Sequence, residues 1–183
     1  MKKQTFLLCL LLFLFSCVTV PVYRLDFTLQ EPTQSDTLSY SDDSIDVQFQ
    51  VLNTQIAFDI QNKTNSGIKI NWDELSFVSP EGTSSRVIHS GIKLIDRNAP
   101  QAPTVIPPNA KIHDILIPSE NIFYSDSKFD GGWKETRLFP QDANLLDNSS
   151  CSVYFPLEIR GEKKEYTFKF NITVPGLKGG QKK

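Results

Sequence analysis

Apolar and polar residues alternate one by one through most of this chain, most cleanly in Ile45-Asp46-Val47-Gln48-Phe49-Gln50-Val51. A β-strand turns successive side chains to opposite faces, so this period builds a sheet with one buried face and excludes an amphipathic helix. The pattern resumes at Ile56, Phe58 and Ile60, breaks at the turn-forming QNKTNSG, and returns at Ile68, Ile70 and Trp72. That spacing predicts two strands paired antiparallel across the turn. Upstream, Tyr23, Leu25, Phe27 and Leu29 share a face, and further strands are predicted at 75–78, 86–89, 92–95, 111–117, 152–159 and 166–174. Phe58, Ile60, Ile70, Trp72, Phe155, Leu157, Phe168 and Phe170 are the expected core.

Roughly nine short strands separated by Gly, Pro, Asn and Ser turns predict an all-β fold, an antiparallel sandwich of two sheets. The topology expected is immunoglobulin-like, without the cysteine pair of antibody domains. Alternation alone also fits a closed barrel. The proline-rich stretch 97–112 cannot supply a full set of ladder donors, so it is expected at a sheet edge or across one end of the sandwich. Its other reading is a polyproline ligand.

The N-terminus obeys different rules. Lys2 and Lys3 precede about ten apolar residues ending at Phe15, then the small Ser16 and Cys17. A membrane-spanning helix needs about 20 apolar residues, so this run reads as a targeting segment, removed after use. Leu14-Phe15-Ser16-Cys17 resembles the bacterial lipobox, with an aliphatic residue at minus three, a small one at minus one and cysteine at the cut. The resemblance implies a bacterial lipoprotein. Residues 1–16 would be its signal peptide, and Cys17 would carry a diacylglyceryl thioether, with its new amino group open to acylation. Residues 17–22 would be the tether, 23–175 the β-sandwich domain and 176–183 a flexible tail. Two or three acyl chains, at about 0.8 kcal/mol per buried CH₂, hold such a protein on a membrane where one holds it only marginally. Val18 stands where many inner-membrane lipoproteins carry aspartate, so the resemblance implies the outer membrane over the inner. The segment 62–114 is also similar to small envelope lipoproteins without an assigned activity, which implies a class but no reaction.

With Cys9 in the leader and Cys17 acylated, Cys151 is left without a disulfide partner. At the start of an apolar strand it reads as a small buried hydrophobe, while a catalytic thiol would need a histidine nearby in space. Removing Lys2 and Lys3 from the formal net charge of −2 leaves about −4, and no basic stripe marks a nucleic-acid binder. No phosphate-binding or dinucleotide-binding glycine pattern and no nucleophile elbow occurs. His89 and His113 are the two histidines, too few and too scattered for a zinc site, so no metal or cofactor is expected. Asp73-Glu74 and Asp96-Arg97 fit turn caps and surface ion pairs.

Two functions remain. The first is a non-catalytic binding or structural module held on the cell envelope, contacting the membrane through Cys17, with an envelope protein as its candidate partner. The second is an envelope enzyme with a site near His113 and Asp114. For the first, the segment 119–150 is the candidate surface, because it is too long for a routine hairpin loop and too aromatic for a linker. Phe129, Trp133, Arg137 and Phe139 are its candidate partner-binding residues. The alternative for these aromatics is a plug over the open end of the sandwich.

Overall fold

The computed structural model describes residues 24–140, 142 and 145–175, so Cys17, the leader and the tail lie outside the described residues. Among these residues the regular structure is β-strand with short 3-10 turns. The first strands are β1 (Asp26–Glu31), β2 (Ser39–Ser41), β3 (Ile45–Val51), β4 (Ile56–Asn62), β5 (Ile68–Ile70) and β6 (Ser76–Val78). They continue with β7 (Ser84–Ile88), β8 (Thr104–Ile106), β9 (Lys111–Pro118), β10 (Ile122–Ser125) and β11 (Gly132–Glu135). β12 (Ser149–Ile159) and β13 (Glu162–Thr173) close the list.

Every named pairing is antiparallel, and the strands form one nearly closed sheet in the order β1-β13-β12-β6-β7-β9-β4-β3-β2, with β10 and β11 as a second small sheet. β5 also joins β12, and β8 joins β5 at the edge, which is where the proline-rich stretch was expected. The large sheet has two layers that meet through a ladder of just two pairs, Val87 with Pro118 and Ile88 with Ile117, between β7 and β9. At the opposite seam Leu29 exchanges backbone bonds of 2.8 and 3.0 Å with Ser35.

The alternating faces meet in the middle. Phe49 of β3 packs on Phe168 and Phe170 of β13 with ring centroids 4.7 and 5.3 Å apart, and Phe58 of β4 packs on Phe155 of β12 at 5.3 Å. Such pairs add about 0.5–1.5 kcal/mol each beyond the area they bury. All eight expected core residues are buried in this cluster. Pro156 inside β12 lacks a ladder donor, and it sits where the ladder is interrupted: β6 pairs residues 152–154 and β5 pairs 157–159. The chain between β5 and β6 makes a 3-10 turn there, Trp72–Glu74, and drops the Trp72 ring into the core.

Strand register gives the molecule two distinct ends. Asp26 faces Thr173, Ser149 faces Ile172 and Val51 faces Ile56, so the described chain begins and finishes at the same end as the β3–β4 turn. Leu138 ties the 119–150 segment to that turn through its N–H on the Asn53 carbonyl, 2.8 Å. At the other end lie the β2–β3 and β12–β13 turns. There Asp42 accepts from Lys164 at 2.8 Å and from the Tyr166 hydroxyl at 2.9 Å, joining the two layers.

Three expectations are corrected. The strands on either side of QNKTNSG do not pair with each other: β4 pairs β3 and β9, whereas β5 crosses to pair β12 and β8. Residues 92–95 are not a strand: the chain makes a 3-10 turn, Leu94–Asp96, in the long connection from β7 to β8. The segment 119–150 is not one loop but contains the β10–β11 hairpin.

Candidate functional site

The β10–β11 hairpin is assembled by small residues at its tip. A Cβ on Gly131 would lie 2.6 Å from the Ser127 carbonyl oxygen, and Gly132 has φ +126°, a conformation that L side chains rarely adopt. The Ser127 hydroxyl accepts from the Phe129 and Asp130 N–H groups at 3.3 and 3.4 Å. Lys134 bonds Asp130, which holds the Asp130 carboxyl below its usual range. The result is an ordered tip that leaves Phe129 fully exposed.

Pairing puts Tyr124 opposite Trp133 on one face of the hairpin. Their rings meet edge to face with centroids 5.6 Å apart, and the Arg97 guanidinium lies 4.7 Å over the Trp133 ring. Beneath them is a satellite apolar cluster of Ile88, Ile117 and Ile122, distinct from the main core. Tyr124 is 58% exposed and Phe123, on the other face, 42%.

The four residues expected at a partner surface are therefore dispersed. Phe129 stands at the tip, and half-buried Trp133 packs on the satellite cluster. Arg137 is exposed past the root of the hairpin, where its carbonyl accepts from Asn121 Nδ2 at 2.7 Å. Phe139 is buried in the main core against Phe27, centroids 5.4 Å apart, so it has no face to offer a partner and plugs the end of the sheet. Phe123 and Tyr124 join the exposed set. Their position in a run of mixed aromatic and polar residues was the only signal for them.

The histidines lead in different directions. His113 and Asp114 are neighbours on β9, so strand alternation sends them to opposite faces, and they do not form the paired site expected of them. His113 is exposed and meets Asp59 at 3.2 Å. Asp114 turns the other way and meets His89 Nδ1 at 3.3 Å, while also accepting from the Ser90 N–H at 2.8 Å. The His89 ring stacks on Trp72 at 4.1 Å with the planes 6° apart, and the Trp72 indole N–H donates to Thr104. Gln101, buried beside this group, accepts from the His89 N–H and donates to the Val87 carbonyl. A carboxylate that orients an imidazole is the geometry of a general base. Here the same bonds also fix the long β7–β8 connection to the sheet.

Cys151 is buried, and burial pushes its thiol up to about 12, far from the thiolate a nucleophile needs. Among the described residues no group of three or more His, Cys, Asp and Glu converges to hold a metal ion. Two further depressions lie on the surface: about 300 Å³ beside Tyr40, Asp59 and Lys111, and about 460 Å³ at the seam between β1 and β3, beside Phe27 and Leu38. Both are open and half polar. No protein family, no curated protein and no solved structure matches this chain.

Proposed function

We propose that the protein is a bacterial lipoprotein, anchored through Cys17, whose domain serves as a non-catalytic binding or structural module of the cell envelope. The observation that supports the contact role is the β10–β11 hairpin, an ordered element that keeps Phe123, Tyr124 and Phe129 in solvent. Three exposed aromatic rings on one short hairpin give a partner more apolar surface to meet than any single exposed residue would. The lipobox-like LFSC motif supports the anchor, and Val18 favours the outer membrane. The domain is read as an immunoglobulin-like sandwich, since its layers are joined by little more than the short β7–β9 ladder on one side and the Leu29–Ser35 bridge on the other.

Metabolic labelling with a fatty acid, followed by membrane fractionation, tests the reading. The wild-type chain should be labelled and recovered with membranes, and Cys17→Ala should be unlabelled and mislocalised with its domain folded. Equal labelling of the two would end the anchor hypothesis. The alternative, an envelope enzyme, moves from His113 to His89, the histidine whose ring a partly buried carboxylate orients. It would be supported by a turnover lost in both His89→Ala and Asp114→Asn.

A further inference from the structure

We infer that the gap between β1 and β3 is a slot that takes an extended peptide of another protein as an added strand, antiparallel to β1. This goes beyond the hairpin contact and depends neither on it nor on the anchor. In the order of the large sheet β1 and β2 are the two ends, so the wall stands open between them. The outer edge of β1 is used once, where Leu29 exchanges both backbone bonds with Ser35. Backbone bonding alternates from side to side along a strand, so Phe27 turns its N–H and C=O to that same edge. Its opposite residue on β13 agrees: the Ile172 carbonyl accepts from Asn148, on the side away from β1.

The far side of the gap is built alike. The Phe49 N–H bonds the Leu38 carbonyl, and the Leu52 N–H bonds Gln55 within the β3–β4 turn, so Val51 shares the outward direction of Phe49. β2 pairs only 46–48 of β3 and does not reach Val51. Among the described residues, no backbone group bonds Phe27 or Val51 on these edges. Between them lies the depression of about 460 Å³, floored by Leu25, Phe27, Leu38 and Val51, each half-buried against the main core. Its rim is acidic. Asp26 there pairs with Arg24, whereas Asp36 is exposed and meets no cation among the described residues.

This chemistry selects the occupant. Open N–H and C=O groups on a strand edge are met by another backbone in extended form, which a lipid or a small solute does not supply. A segment lying along β1 keeps a second edge free to face Val51. An edge strand of a second folded copy does not, because its own sheet takes that edge. Alternate side chains of the peptide would turn inward onto the apolar floor, and those between them would turn out past Asp36. The slot therefore fits a segment in which apolar residues alternate with basic ones.

Fluorescent, end-blocked hexapeptides test this on the mature chain in mild detergent. A peptide alternating valine with lysine should bind, and one alternating valine with glutamate should bind more weakly. Asp36→Lys should reverse that order without moving the melting temperature. Methyl groups on the valine nitrogens, which face Phe27 in an antiparallel pair, should weaken binding about tenfold or more by removing those donors. In hydrogen exchange the Phe27 and Val51 amides should be open in the free chain and protected in the complex. Equal binding of the methylated peptide, or protection elsewhere on the molecule, overturns strand addition. A Phe27 amide protected without peptide overturns it too, in favour of a second copy where protection fades on dilution and of the chain's own residues 18–23 where it does not. Failure of every peptide to bind overturns the slot and leaves the hairpin contact and the anchor standing.

Discussion

Asn62, fully buried at the end of β4, uses both ends of its side chain. Its Nδ2 donates to the carbonyls of Ser66, Ile106 and Pro107 at 2.7 to 3.0 Å, and its Oδ1 accepts from the Thr64 N–H and hydroxyl at 2.8 Å. One residue thus shapes the β4–β5 turn and pins the end of β8. Asn62→Ala should cost about 3 kcal/mol in urea unfolding, the price of leaving buried carbonyls unsatisfied. Asn62→Asp should cost more, because it sets a carboxylate against three carbonyl oxygens. Asp42 at the same end controls pH dependence. Burial alone would raise its carboxyl, but bonds from Lys164, the Ile45 and Ser44 N–H groups and Tyr166 outweigh that and hold it at about 2. A carboxyl lowered from 3.8 stabilises the fold above pH 4 and loses that contribution as pH falls toward 2. The loss should be about 2 kcal/mol, read as acid-dependent unfolding, and Asp42→Asn should flatten it.

Among the elements, the hairpin tip depends on a glycine that has no room for a methyl group. Gly131→Ala should disorder the tip, seen as faster hydrogen exchange across β10 and β11, with global stability little changed because the main core is not involved. Protection equal to wild type would show that the tip can shift to accept the methyl. The long alternating strands β3, β4, β12 and β13 were legible because each carries at least three apolar residues on one face. β2, with three residues, and β10 and β11, with four each, are short and set in polar sequence, whereas β5, equally short, showed because Trp72 carries its alternation one step further. Ile92 and Leu94 alternate like a strand, yet they pack on the satellite cluster from a turn, because the connection from β7 must pass the hairpin there. The His113–Asp114 pairing failed for a simpler reason: adjacency in a strand separates side chains. The partner of Asp114 is 25 residues away in sequence and is brought to it by the β7–β9 contact.

For the whole molecule, the two layers share one core, so a cavity in either should be felt by both. Phe58→Ala, which removes a ring touching Phe49, Trp72 and Phe155, should cost about 3–5 kcal/mol and keep a single unfolding transition. Cys151 reports the same event: its thiol should ignore an added disulfide reagent in the native state and react fully at the denaturant midpoint. Reaction well before the midpoint would mean that β12 opens independently of the layer opposite.

The pairing of β1 with β13 has a mechanical consequence. They are neighbouring antiparallel strands, and the chain enters one and leaves the other at the same end. A load applied between the termini therefore pulls across the ladder rather than along it, and breaks its hydrogen bonds one after another. A fold of this connectivity yields to small forces along that axis, by unzipping from the end nearest the load. The same sheet pulled between β1 and the β12–β13 turn would have to shear several bonds at once and would resist.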